Sequence, residues 1–127
     1  MEQEIISAGA VAAILTLPAI DAWLASMPAG AIVGACQDPF NCLVARHITS
    51  AFPGIHATVQ PVTGGYGSVR LSSGSWCEIR EVRETLPRAI NVLALRFDDL
   101  HANSKHPVTA AEALALVRAL IAEKAGQ

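Results

Sequence analysis

Cysteine is the residue type here best suited to covalent chemistry, and Cys42 is the best placed of the three thiols, Cys36, Cys42 and Cys77. Asp38 and Pro39 predict a helix start, and the helix runs to about Ala51 before Pro53 and Gly54 end it. Cys42 falls in its opening turn, where the positive end of the helix dipole favours a thiolate, so a thiol-dependent enzyme or redox sensor is one reading. A nucleophile also needs a base. His47 lies five positions on, about 140° around the helix, and cannot form a dyad with Cys42 within it. The alternative is that all three cysteines serve as small buried apolar residues.

The same residues do not space themselves for a metal. Structural zinc grips through pairs about two to four residues apart, and the interval from Cys36 to Cys42 is longer, with His47, His56 and Cys77 further away still. Asp98, Asp99 and His101 cluster in sequence, but their helical directions diverge, as expected of a solvated face with one satisfied histidine. Gly64, Gly65 and Gly67 precede no Lys-Ser or Lys-Thr pair, so they read as a hairpin turn and not as a phosphate loop. No Gly-x-Ser-x-Gly elbow and no His-Glu-x-x-His helix is present. No metal and no cofactor are expected.

Two surface features could bind rather than react. From His56 to Val82 the apolar period is two, which predicts an antiparallel meander of three strands turning at 64–67 and at 72–74. One face carries Val59, Val69, Leu71, Cys77 and Ile79. The other carries His56, Thr58, Gln60, Tyr66, Ser68, Arg70, Trp76, Glu78 and Arg80, in which aromatic rings interleave with guanidinium groups. Such a face can stack a base or a ligand ring, or form the centre of a protein contact. Its plainer reading is a wet sheet face with cross-strand ion pairs such as Arg70 with Glu78. The second feature is apolar: Val92 and Leu95 project opposite the core stripe of their helix, and Leu116 does so on the last helix, which implies burial under the N-terminal segment or against another chain.

The elements that must hold these residues follow from caps and periodicity. Ser7 opens a short helix through Leu15, and Thr16 with Pro18 opens another reaching Met27. Ala31 to Cys36 reads as a central strand buried on both faces. The helix after Asp38 has the apolar stripe Phe40, Leu43, Val44, His47, Ile48 and Ala51. After the meander, Thr85 and Pro87 start a helix lined by Leu86, Ala89, Ile90, Leu93, Phe97 and Leu100. A polar connector from Ala102 to Val108 leads to a capping box, Thr109 with Glu112, and a final helix lined by Ala113, Leu114, Val117, Leu120 and Ile121. The expected architecture is α+β: a mostly antiparallel sheet of about four strands with helices packed on one side, in one domain over 1–127.

Composition bounds the function. At 127 residues, 52% hydrophobic and 16% charged, the chain can bury a core and is not a solvating tail. A net charge of −2 gives no electrostatic footprint for unspecific binding to nucleic acid or to an anionic membrane. Ile5 to Ile20 carries no formal charge, but acidic residues precede it, it is shorter than the roughly 20 residues a bilayer needs, and Pro18 and Asp21 interrupt its continuation. Reduced thiols and the absence of a membrane segment lead to a cytoplasmic expectation.

Val33, Gly34, Ala35 and Cys36, followed by Cys42, Leu43, Val44, Ala45 and Arg46, resemble small uncharacterised bacterial proteins with a Trp-Leu helix, a Val-Gly strand and a Cys-Pro-Leu-Ala box. Leu43 stands where that box has proline, while Trp23 with Leu24 and the helix start from Thr109 to Leu114 extend the likeness along most of the chain. The resemblance implies no activity.

The expected function is therefore a small non-enzymatic interaction module or accessory subunit that binds a protein partner or itself. Its surface is the face of Tyr66, Trp76, Arg70, Arg80 and His56, or the helix sides bearing Val92, Leu95 and Leu116. Seven of the nine cations are Arg, which suits planar bidentate pairing at an interface. The thiol-dependent reading on Cys42 is the alternative, and single-stranded nucleic acid on the sheet face is a lesser third.

Overall fold

The computed structural model describes residues 8–65, 67–73 and 80–125. Their order is α1 (Ala8–Ile14), α2 (Leu17–Ala25), β1 (Ile32–Ala35), α3 (Leu43–Ala51), β2 (Ile55–Gln60), β3 (Ser68–Ser73), β4 (Arg80–Thr85), α4 (Arg88–Asp98), β5 (Pro107–Thr109) and α5 (Ala110–Ala125). The fold is α+β, and both of its sheets are antiparallel. No helix among the described residues is long and apolar enough to cross a membrane.

Local signals place most helices where the sequence suggests. Thr16 caps α2 by accepting from the Ala19 amide at 3.2 Å. Leu86 just before α4 and Ile90, Leu93 and Phe97 on it are buried, and on α5 Ala113, Val117 and Leu120 are buried. Together with Ile20 and Leu24 of α2 and Leu43, Val44 and Ile48 of α3, they belong to one hydrophobic cluster.

The expected sheet of four strands is divided in two. β2, β3 and β4 form the meander, but β1 pairs with β5 in a separate two-stranded sheet, with Ile32 opposite Thr109 and Ala35 opposite Pro107. The polar connector proposed for 102–108 thus contributes a strand. Other groups bind along β1: the Ile32 carbonyl accepts from Arg46 Nη1 at 2.8 Å, and the Ala35 amide donates to the Asn41 carbonyl at 2.8 Å. Those bonds satisfy backbone positions that a further strand would have needed.

The same Asn41 bond explains why α3 starts late. Asp38 does act as a cap, accepting from the Phe40 amide at 3.1 Å, but only over a turn. The chain then leans on β1, and helix begins at Leu43 with Cys42 as its N-cap. Phe40 consequently leaves the expected stripe and is 74% exposed. Gly34 makes this approach possible, since a Cβ there would stand 2.9 Å from both the Asn41 carbonyl oxygen and the Leu43 nitrogen.

Candidate functional site

The meander has the two-faced character that its alternation predicts. Ile55, Ala57 and Val59 of β2 and Val69 and Leu71 of β3 are buried, whereas His56, Gln60 and Arg70 are exposed and Thr58, Ser68 and Ser72 are half-buried. Pairing sets Gln60 opposite Ser68, Thr58 opposite Arg70 and His56 opposite Ser72. On the other side of β3, Ser68 meets Thr85, Arg70 meets Arg83 and Ser72 meets Glu81. The residues of β2 and β3 on the side away from the core are therefore polar, and His56 and Arg70 share that side.

Arg80 takes a different register position. The register places it opposite Ser73, which is itself opposite Ile55, so Arg80 falls in a row with a buried β2 residue while Arg83 takes the row of Arg70. The reason is that the β3–β4 register sets even-numbered positions opposite odd-numbered ones, so the alternation read along β3 does not carry through the turn into β4. Tyr66, Trp76, Cys77, Glu78 and Ile79 lie outside the described residues.

The turn joining β2 to β3 is fixed by a residue that periodicity does not single out. Asn91, buried on α4, accepts from the Val62 amide at 2.9 Å and donates to the carbonyls of Val62 at 2.9 Å and Gly65 at 3.3 Å. Gly67 passes so close that a Cβ there would meet the Asn91 side chain and stand 2.7 Å from the Gln60 carbonyl oxygen. The available sequence signal was a polar residue beside the apolar stripe of α4.

Cys42 sits at the edge of a cleft of about 340 Å³ that is also lined by Gln37, Asp38, Gln60 and Asp98. The residue is 5% exposed. Burial pushes its pKa up to about 11, with a smaller upward push from the Asp98 carboxylate, although backbone amides of the helix start pull it down. The dipole effect expected of this position is thus present and outweighed. Burial also raises the Asp98 carboxyl, whose Oδ1 accepts from the Gln37 amide at 2.8 Å. Burial thus works against the thiolate that a nucleophile at this position requires.

A second polar cluster forms where β5 enters α5. His101 Nε2 lies 2.8 Å from Glu112 Oε2, and the His101 ring stacks on His106 with centroids 3.8 Å apart. Cys36, fully buried, donates its Sγ–H to the Phe97 carbonyl at 3.2 Å, and burial raises its pKa. Among the described residues no group of three His, Cys, Asp or Glu side chains is arranged to hold a metal ion.

The helix residues expected to face a partner are half-buried. Val92 and Leu116 pack against the main hydrophobic cluster, and Leu95 is partly covered. No family model matches the chain, and no curated protein or solved structure was found to be similar to it.

Proposed function

We propose that the chain is a small non-enzymatic interaction module, working as an accessory subunit, that binds a protein partner or itself through the β2–β3–β4 sheet. The observation that carries this reading is the pair of unlike faces: a buried apolar row anchors the sheet, while His56, Gln60 and Arg70 stand exposed in a polar row. A rigid sheet bearing Arg and His offers directional hydrogen bonds at little ordering cost. The state of the described thiols supports a cytoplasmic setting, since Cys36 and Cys42 are both free and buried.

A photo-cross-linking residue at Thr58 tests this in cells, with exposed Ala115 on α5 as the control position. The expected result is a discrete adduct from position 58, identified by mass spectrometry and lost on Arg70→Glu. The same adducts from position 115, or no adduct from position 58 in a chain that is also monomeric in solution, overturns the reading.

A further inference from the structure

β4 is at the margin of its sheet: β3 is its sole strand neighbour among the described residues. The Leu86 amide donates to the Gly67 carbonyl at 2.9 Å, one step beyond the Ser68/Thr85 pair. In an antiparallel ladder hydrogen-bonded positions recur at every second pair. Arg80, Val82 and Glu84 therefore turn their backbone groups toward β3, and Glu81, Arg83 and Thr85 turn theirs to the other side, where no further described strand pairs.

The order of charges along this edge is antisymmetric about Val82. Arg80, Glu81, Val82, Arg83 and Glu84 read plus, minus, neutral, plus, minus, and reversing the order inverts every sign. A second copy laid antiparallel about a two-fold axis at Val82 would set Arg80 opposite the partner's Glu84 and Glu81 opposite the partner's Arg83, with the symmetric pairs following. Every charged residue then faces its opposite. Moving the axis by half a step sets Glu81 opposite the partner's Glu84. Moving it to Arg83 sets Arg83 against its own copy.

Backbone and charge select the same register. About the Val82 axis, Glu81 and Arg83 form the hydrogen-bonded pairs, and these are the residues whose backbone groups face outward. The half-step alternative would oppose outward-facing residues to inward-facing ones. Within one chain Arg83 stands opposite Arg70 in register, and docking brings the partner's Glu81 to the other side of Arg83. Charges on a sheet edge ordinarily repel stray strands. Here they fit one strand, their own copy, in one register.

We infer that β4 pairs with β4 of a second copy about a two-fold axis at Val82, joining two three-stranded sheets into a continuous antiparallel sheet. This rests on the interaction-module reading and names its partner. An antiparallel pair of this non-hydrogen-bonded kind brings its Cα atoms to about 4.5 Å, which suits a disulfide.

The test uses the full chain with Cys77→Ser. Under mild oxidation Val82→Cys is expected to give a covalent dimer and Thr85→Cys to give none. In sedimentation equilibrium, Glu81→Arg or Arg83→Glu alone is expected to weaken the dimer about tenfold, because each reverses both symmetric pairs. Glu81→Arg with Arg83→Glu restores the pattern and is expected to recover affinity within about threefold. A monomer up to about 0.5 mM, equal cross-linking at both positions, or single and double swaps that behave alike overturns the inference. A monomer that still gives the Arg70-dependent adduct with a different protein at position 58 overturns self-pairing and leaves the interaction-module reading standing.

Discussion

Asn91 holds Val62 by both of its backbone groups, with the amide and the carbonyl each 2.9 Å from the side-chain amide of a residue in another element. The contact spans 29 residues and fastens the β2–β3 turn to α4, so the solvent face of the meander keeps its orientation relative to the core.

Replacing Asn91 by Leu keeps the volume and removes all three bonds to the turn. Stability is expected to fall by about 2 kcal/mol, read from the urea midpoint, because donors and acceptors tied down at the turn lose their partner. Asn91→Asp is expected to cost more at neutral pH, since a carboxylate would face the carbonyls of Val62 and Gly65. Equal stability of either variant and the parent would show that the turn does not depend on this clamp.

Gly34→Ala is expected to destabilise by about 3 kcal/mol, the upper part of the usual range for overpacking. The added methyl meets backbone at 2.9 Å on both the Asn41 and Leu43 sides, and backbone cannot yield as a side-chain tip can. Thermal unfolding followed by circular dichroism measures the loss.

His47 makes stability depend on pH. Its Nε2 lies 2.8 Å from the Ile14 carbonyl, its ring rests 5.1 Å from Trp23, and Nδ1 has no hydrogen-bond partner among the described residues. Burial lowers its pKa below the ordinary 6.5, although the Ile14 carbonyl pulls the other way. The unfolded chain then binds the proton more readily than the folded one, so stability is full above about pH 6.5 and declines as pH falls toward the folded value. Urea midpoints between pH 7.5 and 5 should show this decline, and His47→Gln should flatten that part of it.

The cap on α5 is reciprocal. The Glu112 amide donates to Thr109 Oγ1 at 3.2 Å, and the Thr109 amide donates to Glu112 Oε1 at 3.3 Å. Thr109→Ala is expected to cost about 1 kcal/mol and Thr109→Ser much less, measured by thermal unfolding. Partial burial pushes the Glu112 carboxyl up, but hydrogen bonds with His101 and Thr109 more than offset it and leave it below its ordinary 4.5. Its contribution is therefore present above about pH 4.5 and lost as pH falls through the folded value.

Cys42 is expected to react with iodoacetamide about a hundredfold more slowly than an unperturbed thiol at pH 7.5, because a rise from 9.0 to about 11 leaves that much less thiolate. Mass spectrometry of the Cys42 peptide against time measures it. A rate at or above that of a free cysteine peptide would revive the thiol chemistry that the helix start suggested.

Contacts between near neighbours were written plainly in the chain. The Thr109–Glu112 box spans four positions, Thr16 reaches three residues to cap α2, and the alternation of Ile55, Ala57 and Val59 needs only its own strand. Each depends on propensity or period within a turn or two, which a linear reading can sum.

What folding alone decided are the choices of partner. Pro107–Thr109 is a strand because β1 lies beside it, and its own three residues carry too little periodicity to declare it. The late start of α3, the division of the sheet and the row taken by Arg80 follow from which groups pair in space: Asn41 with Ala35, Arg46 with Ile32, Ser73 with Arg80. Those pairings satisfy polar groups of one element with groups from another, and that requirement has no signature in the periodicity of either.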